Sequence, residues 1–283
     1  MSETSRGRDA DLDEDDAALE PVPWTARLED AGPWLITAVT LVLWEAACRL
    51  FDVPPFVLPA PTAIAASLWE WHAVIALHAA QTLYTTAIGF VFAVLGGLAL
   101  GVAVGTSRFL YKSFYPILIA FNSVPKVAIV PILVIWFGIG TIPAVITAFM
   151  LSFFPIVVNV AAGLATVEPE LEDVLRSLGA SRRDILVKVG LPRSLPYFFA
   201  SLKVAITLAL VGSVISETIA ANVGIGYLML NASSRFDVPL VFAGLVVVAA
   251  MGVAIYALFA KLEGRFTGWA TRSQTAGGGT GGG

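Results

Sequence analysis

The chain has 283 residues, of which 57% are hydrophobic and 13% charged, and its mean hydropathy is +0.82. Soluble domains average about 45–50% apolar and about 25% charged residues, so this balance leaves almost no room for a soluble enzyme and excludes disordered and collagen-like chains. The net charge of −4 averages two regions: residues 1–30 hold ten acids and three arginines, whereas the remainder has 14 basic and 11 acidic side chains. What is left is an all-α integral membrane protein.

In chain order, residues 1–30 are polar and self-repelling, and a disordered cytoplasmic tail is expected there. This segment is no signal peptide, because it is acidic and the first apolar run begins only at Trp34. Cys48 is the single cysteine, which rules out an intramolecular disulfide and a cysteine metal cluster. His72 and His78 stand six residues apart, a spacing that suits neither one helix face nor a zinc motif, so no metal is expected.

A bilayer core about 30 Å thick needs about 20 mostly apolar residues per helix. Six such spans are expected, near 34–51, 79–105, 113–137, 141–165, 195–221 and 238–261, within a membrane domain covering 31–272. Residues 52–78 connect the first two. There the run Val53-Pro54-Pro55-Phe56-Val57-Leu58-Pro59-Ala60-Pro61 should be extended, and Thr62 should cap a short amphipathic helix through Trp71. Trp69 and Trp71 suit the membrane interface. Within the second span, Gly97, Gly101 and Gly105 repeat every four residues on one face, which suits close packing in the bundle or a dimer seam. The third span is interrupted by Pro116, Pro125 and Pro131, so it should face protein or a water-filled path. A Gly-rich flexible tail is expected over 273–283.

Sidedness follows from Lys and Arg in short loops. Arg108 and Lys112, then Arg176, Arg182, Arg183, Lys188 and Arg193, then Lys261, Arg265 and Arg272 fall on one side, against Arg49 and Arg235 on the other. Both termini are therefore expected in the cytoplasm.

The long inner loop at 167–192 reads as a helix–turn–helix. Pro169 suits a first helical turn, and Glu170, Glu172 and Asp173 sit where the helix dipole favours anions. Leu171, Val174, Leu175 and Leu178 recur at i, i+3, i+4 and i+7, one apolar face that needs a surface to pack on. Gly179 suits a helix C-terminus, and Ser181 with Asp184 resembles a capping box that opens a second short helix, ended by Leu191-Pro192. The loop mixes acids with its basic residues at a membrane surface, so nucleic-acid binding is not expected.

This loop resembles the EAA loop of ABC-importer permeases, in which Glu-Ala-Ala, a glycine and a terminal Leu-Pro keep fixed spacings. The matching positions are Asp173-Val174-Leu175, Gly179, Val189 and Leu191-Pro192, with Arg176, Leu178, Ala180 and Ser181 between them. The opening triplet departs from the pattern, with Asp for Glu and Val and Leu for the two alanines. Leu58-Pro59-Ala60-Pro61-Thr62, Val124-Pro125-Lys126-Val127-Ala128, Trp136-Phe137-Gly138-Ile139-Gly140, Phe154-Pro155-Ile156, Leu178-Gly179-Ala180-Ser181 and Gly224-Ile225-Gly226-Tyr227 resemble one subfamily, the nitrate/sulfonate/taurine-type permeases. The resemblance covers about 54–270.

The resemblance implies a type I ABC-importer permease fold in a bacterial inner membrane. It implies a second copy of the chain, two cytoplasmic ATPase subunits docked on the loop, and an extracytoplasmic binding protein that delivers solute. ATP and magnesium would sit in the ATPase, since this chain has no Gly-x-x-x-x-Gly-Lys-[Ser/Thr] loop. The chain itself is then no enzyme and carries no cofactor.

Ionisable groups inside a membrane are costly and mark function by default. Lys126, between two prolines, either attracts an anionic solute or snorkels to a partner. Glu217 is expected to hold backbone donors near Asn222 and Gly224. Asn122, Ser123 and Asn159 either line the path or form interhelical hydrogen bonds, and Glu45 is given no functional weight. Two other classes compete. A secondary transporter would show internal repeats and more intramembrane charge, and a membrane scaffold would not need polar residues and prolines in its spans.

Overall fold

The computed structural model describes residues 23–165 and 169–277. Residues 1–22, Val167, Glu168 and the terminal 278–283 of the sequence-level expectations lie outside the described residues. All regular elements described are helical. The chain divides into two units after Val53.

The first unit is one helix, α1 (Pro23–Leu50). Its Gly32–Leu50 stretch is apolar and long enough to cross a membrane. The helix begins eight residues inside the expected tail, at a proline, whose fixed φ suits a first helical turn. Glu45 bonds Arg49 one turn on, Oε1 to Nε at 2.6 Å.

The second unit holds α2 (Pro61–Glu70), α3 (His72–Gly105), α4 (Arg108–Ser123), α5 (Val130–Phe137), α6 (Thr141–Ala165), α7 (Pro169–Ser177), α8 (Arg182–Ile185), α9 (Leu191–Ala220), α10 (Ile225–Ser234) and α11 (Val238–Gly277). Helix α2 starts two residues earlier than expected. Pro61 takes the first helical position and Ala60 the N-cap, so Thr62 lies inside the helix and does not cap it. Helix α11 runs through residues 273–277, where a flexible tail was expected. Helix α10 has no counterpart among the expected elements.

Among the described residues, five helices can cross a membrane, or six if α4 and α5 form one broken span bent by 74°. Only one of the three prolines makes that break. Pro116 stays within α4 and Pro131 sits in the first turn of α5. Pro125 forces Val124 into an extended conformation (φ −70°, ψ 127°), which ends α4. A 3₁₀ turn, Lys126–Ile129, joins the halves.

The core forms where α6 lies between α3 and α9. Phe90 and Ala93 of α3, Ala148, Ile156 and Val160 of α6, and Leu202, Ala205, Ile206 and Ala209 of α9 make one buried cluster. The glycine face of α3 belongs to this contact and is not free for a dimer seam. A Cβ on Gly97 would meet Ile156 Cβ at 2.9 Å, and one on Gly101 would meet Val160 Cβ at 2.8 Å. Small residues let the two backbones close, which is how helices gain dispersion contacts where lipid is as apolar as leucine. Lys203 of α9 also pairs with Glu263 of α11.

Along the α3–α6 contact the tightest approach is at Gly89, whose Cβ would lie 2.6 Å from the backbone oxygen of Val145. Gly89→Ala is expected to cost about 1–3 kcal/mol, read as a lower melting temperature in detergent. At Gly252, by contrast, the added carbon meets Leu210 Cδ2 at 3.6 Å, and Gly252→Ala should melt no lower than the parent.

Candidate functional site

The inner loop closes as a defined motif. At the end of α7 the Ala180 N–H donates to Leu175 O at 3.0 Å and the Gly179 N–H to Arg176 O at 2.9 Å. Those two bonds make a Schellman cap, with Gly179 as its left-handed residue at φ +88°. Ser181 then caps α8: its Oγ accepts the Asp184 N–H at 3.1 Å and its hydroxyl donates to the Asp184 carboxylate. Asp184 in turn pairs with Lys188 at 2.9 Å.

The second helix does not stop at Leu191-Pro192, as the sequence suggested. A π turn, Leu186–Gly190, carries α8 into α9, and Leu191 and Pro192 form the first turn of α9. The turn is anchored by buried Ile185 and by Gly190, where an added Cβ would sit 3.4 Å from Leu164 Cδ2 of α6. Val189 is half-buried. The apolar face of α7 splits: Leu171 and Leu175 are half-buried, while Val174 is 55% and Leu178 77% exposed. Asp173 and Arg176 are exposed beside them.

At the other end of α9 lies a polar hub. Glu217 is 1% exposed. Its Oε2 accepts Thr82 Oγ1–H at 2.7 Å and the Gly226 N–H at 3.2 Å, and its Oε1 faces Thr85 Oγ1 at 3.3 Å. Thr82 Oγ1 also accepts the Ile225 N–H at 2.9 Å, and His78 Nδ1 accepts the Gly224 N–H at 2.9 Å. Three consecutive N–H groups entering α10 are thus met by His78, Thr82 and Glu217. The His78 ring further stacks on Tyr227 at 6.0 Å between centroids. Glycine is required at 224 by φ +130° and by the Glu217 carboxylate, which occupies the place of a Cβ.

The sequence assigned Glu217 to backbone donors near Gly224, and the donor is Gly226. It missed His78, Thr82 and Thr85. Their signal was present as polar residues at i, i+4 and i+7 along an apolar helix of 34 residues.

The other path candidates do not gather with Glu217. Lys126 Nζ donates to Asn122 O at 3.1 Å and to Asn122 Oδ1 at 2.8 Å, and lies 5.9 Å from the Phe121 ring centroid. Half-buried Lys126 and exposed Asn122 thus form one cluster at the α4–α5 break. Ser123 beside them spends its hydroxyl on Ile119 O at 2.9 Å. Asn159 is on α6, where its amide donates to Pro155 O at 2.8 Å. No hydrogen bond or ion pair among the described residues joins Asn159 or Glu217 to the Lys126 cluster.

The family described as binding-protein-dependent transport system inner membrane component matches residues 93–268. The formylaminopyrimidine transport permease protein ThiX of Halalkalibacterium halodurans is 30% identical over 84% of this chain and 95% of its own length. The riboflavin transport system permease protein RibX of Chloroflexus aurantiacus is 32% identical over 81% and 86%. The taurine transport system permease protein TauC of Escherichia coli is 29% identical over 82% and 87%. Among solved structures, a chain of the MetNI methionine ABC transporter, in inward-facing conformations, aligns with a TM-score of 0.62 at 19% identity, over 70% of this chain and 98% of that one. The fold is therefore that of type I importer permeases, and the chain belongs to the family of inner-membrane components of binding-protein-dependent transport systems.

Proposed function

We propose that this chain builds the membrane pathway of an ATP-driven importer by pairing with a second copy of itself, with both termini in the cytoplasm. Two ATPase subunits dock on the α7–α8 loop, and a binding protein delivers the solute from the opposite side. ATP and magnesium bind to the ATPase subunits, not to this chain. Its outward apolar side chains, such as Leu95 and Val253 at 63% and 71% exposure, meet lipid.

The observation that carries this reading is the inner loop. It is capped at both of its turns and anchored on α6, yet it presents Val174 and Leu178 to the outside. Fixed, exposed apolar side chains on a short helix suit insertion into a partner's groove. The solute is a small polar species of the kind the relatives' names describe. We assign it an anionic group, because Lys126 stands half-buried at the α4–α5 break with its ammonium oriented by Asn122.

Purification of the tagged chain from its native operon is the direct test, with stoichiometry read by native mass spectrometry. Two copies with two ATPase subunits are expected, and a lone protein or a bare dimer would refute the reading. Gly179→Val places a β-branched residue at φ +88°, which disfavours the cap by about 1–2 kcal/mol and re-aims α7. Uptake into proteoliposomes should fall about tenfold relative to ATP hydrolysis, and an unchanged ratio would remove the loop from coupling. Lys126→Ala should lower uptake several-fold while the complex still assembles, and unchanged uptake would take Lys126 out of the path.

A further inference from the structure

A cavity of about 200 Å³ lies between α3, the start of α6 and the end of α9, lined by Gln81, Thr85, Thr141, Ala144, Glu217 and Asn222 among others. One water needs only about 15 Å³ of such space, so the cavity has room for a small solvated or organic group.

The polar atoms of its wall are unevenly used. Glu217 Oε2 is filled by Thr82 Oγ1 at 2.7 Å and Gly226 N at 3.2 Å. Its Oε1 has only Thr85 Oγ1, at 3.3 Å. That hydroxyl carries one proton and has two other acceptors in reach, Thr82 O at 3.0 Å and Gln81 O at 3.3 Å. Thr82 O is the nearest, so Oε1 keeps acceptor capacity on a side chain 1% exposed.

The Gly226 N–H can only donate to the carboxylate, whereas the Thr82 and Thr85 hydroxyls can donate or accept, since Thr82 Oγ1 also reaches His78 O at 3.2 Å and Thr85 Oγ1 reaches Thr82 O at 3.0 Å. No ion pair to Glu217 occurs among the described residues. The nearby His78 offers a lone pair to the Gly224 N–H, so its ring is neutral in this arrangement. Ionised, Glu217 is a buried anion without a counter-charge, and the space open to one is the cavity beside Oε1. On that side the Gln81 amide N–H donates to Thr141 Oγ1 at 3.2 Å, leaving the Gln81 amide oxygen and the Asn222 side chain as further oxygen donors for a cation.

We propose that this cavity binds a compact monovalent cation at Glu217 Oε1. Its source is either a primary ammonium group of the transported solute or a free inorganic ion such as sodium. The first source rests on the importer reading, and the second does not.

The test is the melting temperature of the purified full-length chain, with the subunits that accompany it, in methylammonium chloride, sodium chloride or choline chloride at equal ionic strength. Choline is bulky and carries no N–H. Methylammonium or sodium should raise the melting temperature saturably, by about 3–5 °C over choline. Methylammonium alone assigns an ammonium group, and sodium assigns an inorganic ion. Glu217→Gln keeps the shape of the hub and should abolish the shift. Thr141→Val leaves the α10 contacts intact and should raise the half-maximal concentration several-fold, so the site can be tested even if Glu217→Gln does not fold. Equal melting in all three salts, or a shift that survives in both variants, overturns the proposal. Neither result bears on whether ATPase subunits co-purify, so this site and the importer reading fail separately.

Discussion

A carboxylate inside an apolar bundle must be met by donors that the protein supplies, because lipid offers none. Glu217 imposes that requirement on three elements at once. It draws the Thr82 and Thr85 hydroxyls of α3 to the end of α9 and fixes the Gly226 N–H at the start of α10. The neighbouring N–H groups of Gly224 and Ile225 are then satisfied by His78 and Thr82, so three consecutive N–H groups entering α10 are held by side chains. The same end of α9 is tied to the α5–α6 turn, where the Gly140 N–H donates to Ala220 O at 2.7 Å. The position of α10 and its glycine pattern both follow from where one carboxylate lies.

Below the hub the constraint changes from polar satisfaction to close packing. Gly89, Gly97 and Gly101 leave no space between α3 and α6, and on α9 a Cβ added at Gly212 would lie 3.0 Å from Thr147 O of α6. Three helices joined this closely move as one body, since a packed core resists small deformations. Freedom is concentrated in the segments that lack such contacts. The α4–α5 break is one, with Ile135 81% and Trp136 69% exposed. The exposed tip of α7 is another. Two path candidates, Lys126 and Asn122, are on the first of these segments.

The spans were legible because an apolar stretch of about 20 residues has few alternatives to a membrane helix. The inner loop was legible because Gly179, Ser181 and Asp184 act through neighbours in sequence, and local hydrogen bonding is what spacing encodes. The outcome at Leu191-Pro192 was misread for the same reason turned around: proline marks a helix start as well as a stop, and only the π turn at 186–190 decides between them. The hub was half-legible. Glu217 declared itself as a buried acid, but Thr82 is 135 residues away from it in sequence, and threonine in an apolar helix more often bonds its own backbone. Which helix supplies the donors is a property of packing. The short α10 was missed although Ile225, Leu228 and Ala232 recur at i, i+3 and i+7, because ten residues carry a weak periodic signal and the partners that hold its first turn are distant in sequence.

Helix α9 joins the two ends that matter. It has 30 residues and so spans about 45 Å, from the π turn beside the loop to the last turn that carries Glu217. Along that length its inner face is locked to α6, from Gly163 against Ser194 to Gly212 against Thr147. A displacement applied at the loop is poorly absorbed within this pair, because a Cβ added at Gly163 or Gly212 would already lie 3.0 Å from the facing helix and each step would open a gap or a clash. It is delivered instead where the locked contacts end. At one end that is the π turn, an irregular turn able to change its winding. At the other it is the hub, where hydrogen bonds from α3 and α10 converge on a single carboxylate and can be exchanged one at a time. The π turn and the hub are thus the two places where the close packing of α9 on α6 gives way to irregular backbone and to side-chain hydrogen bonds.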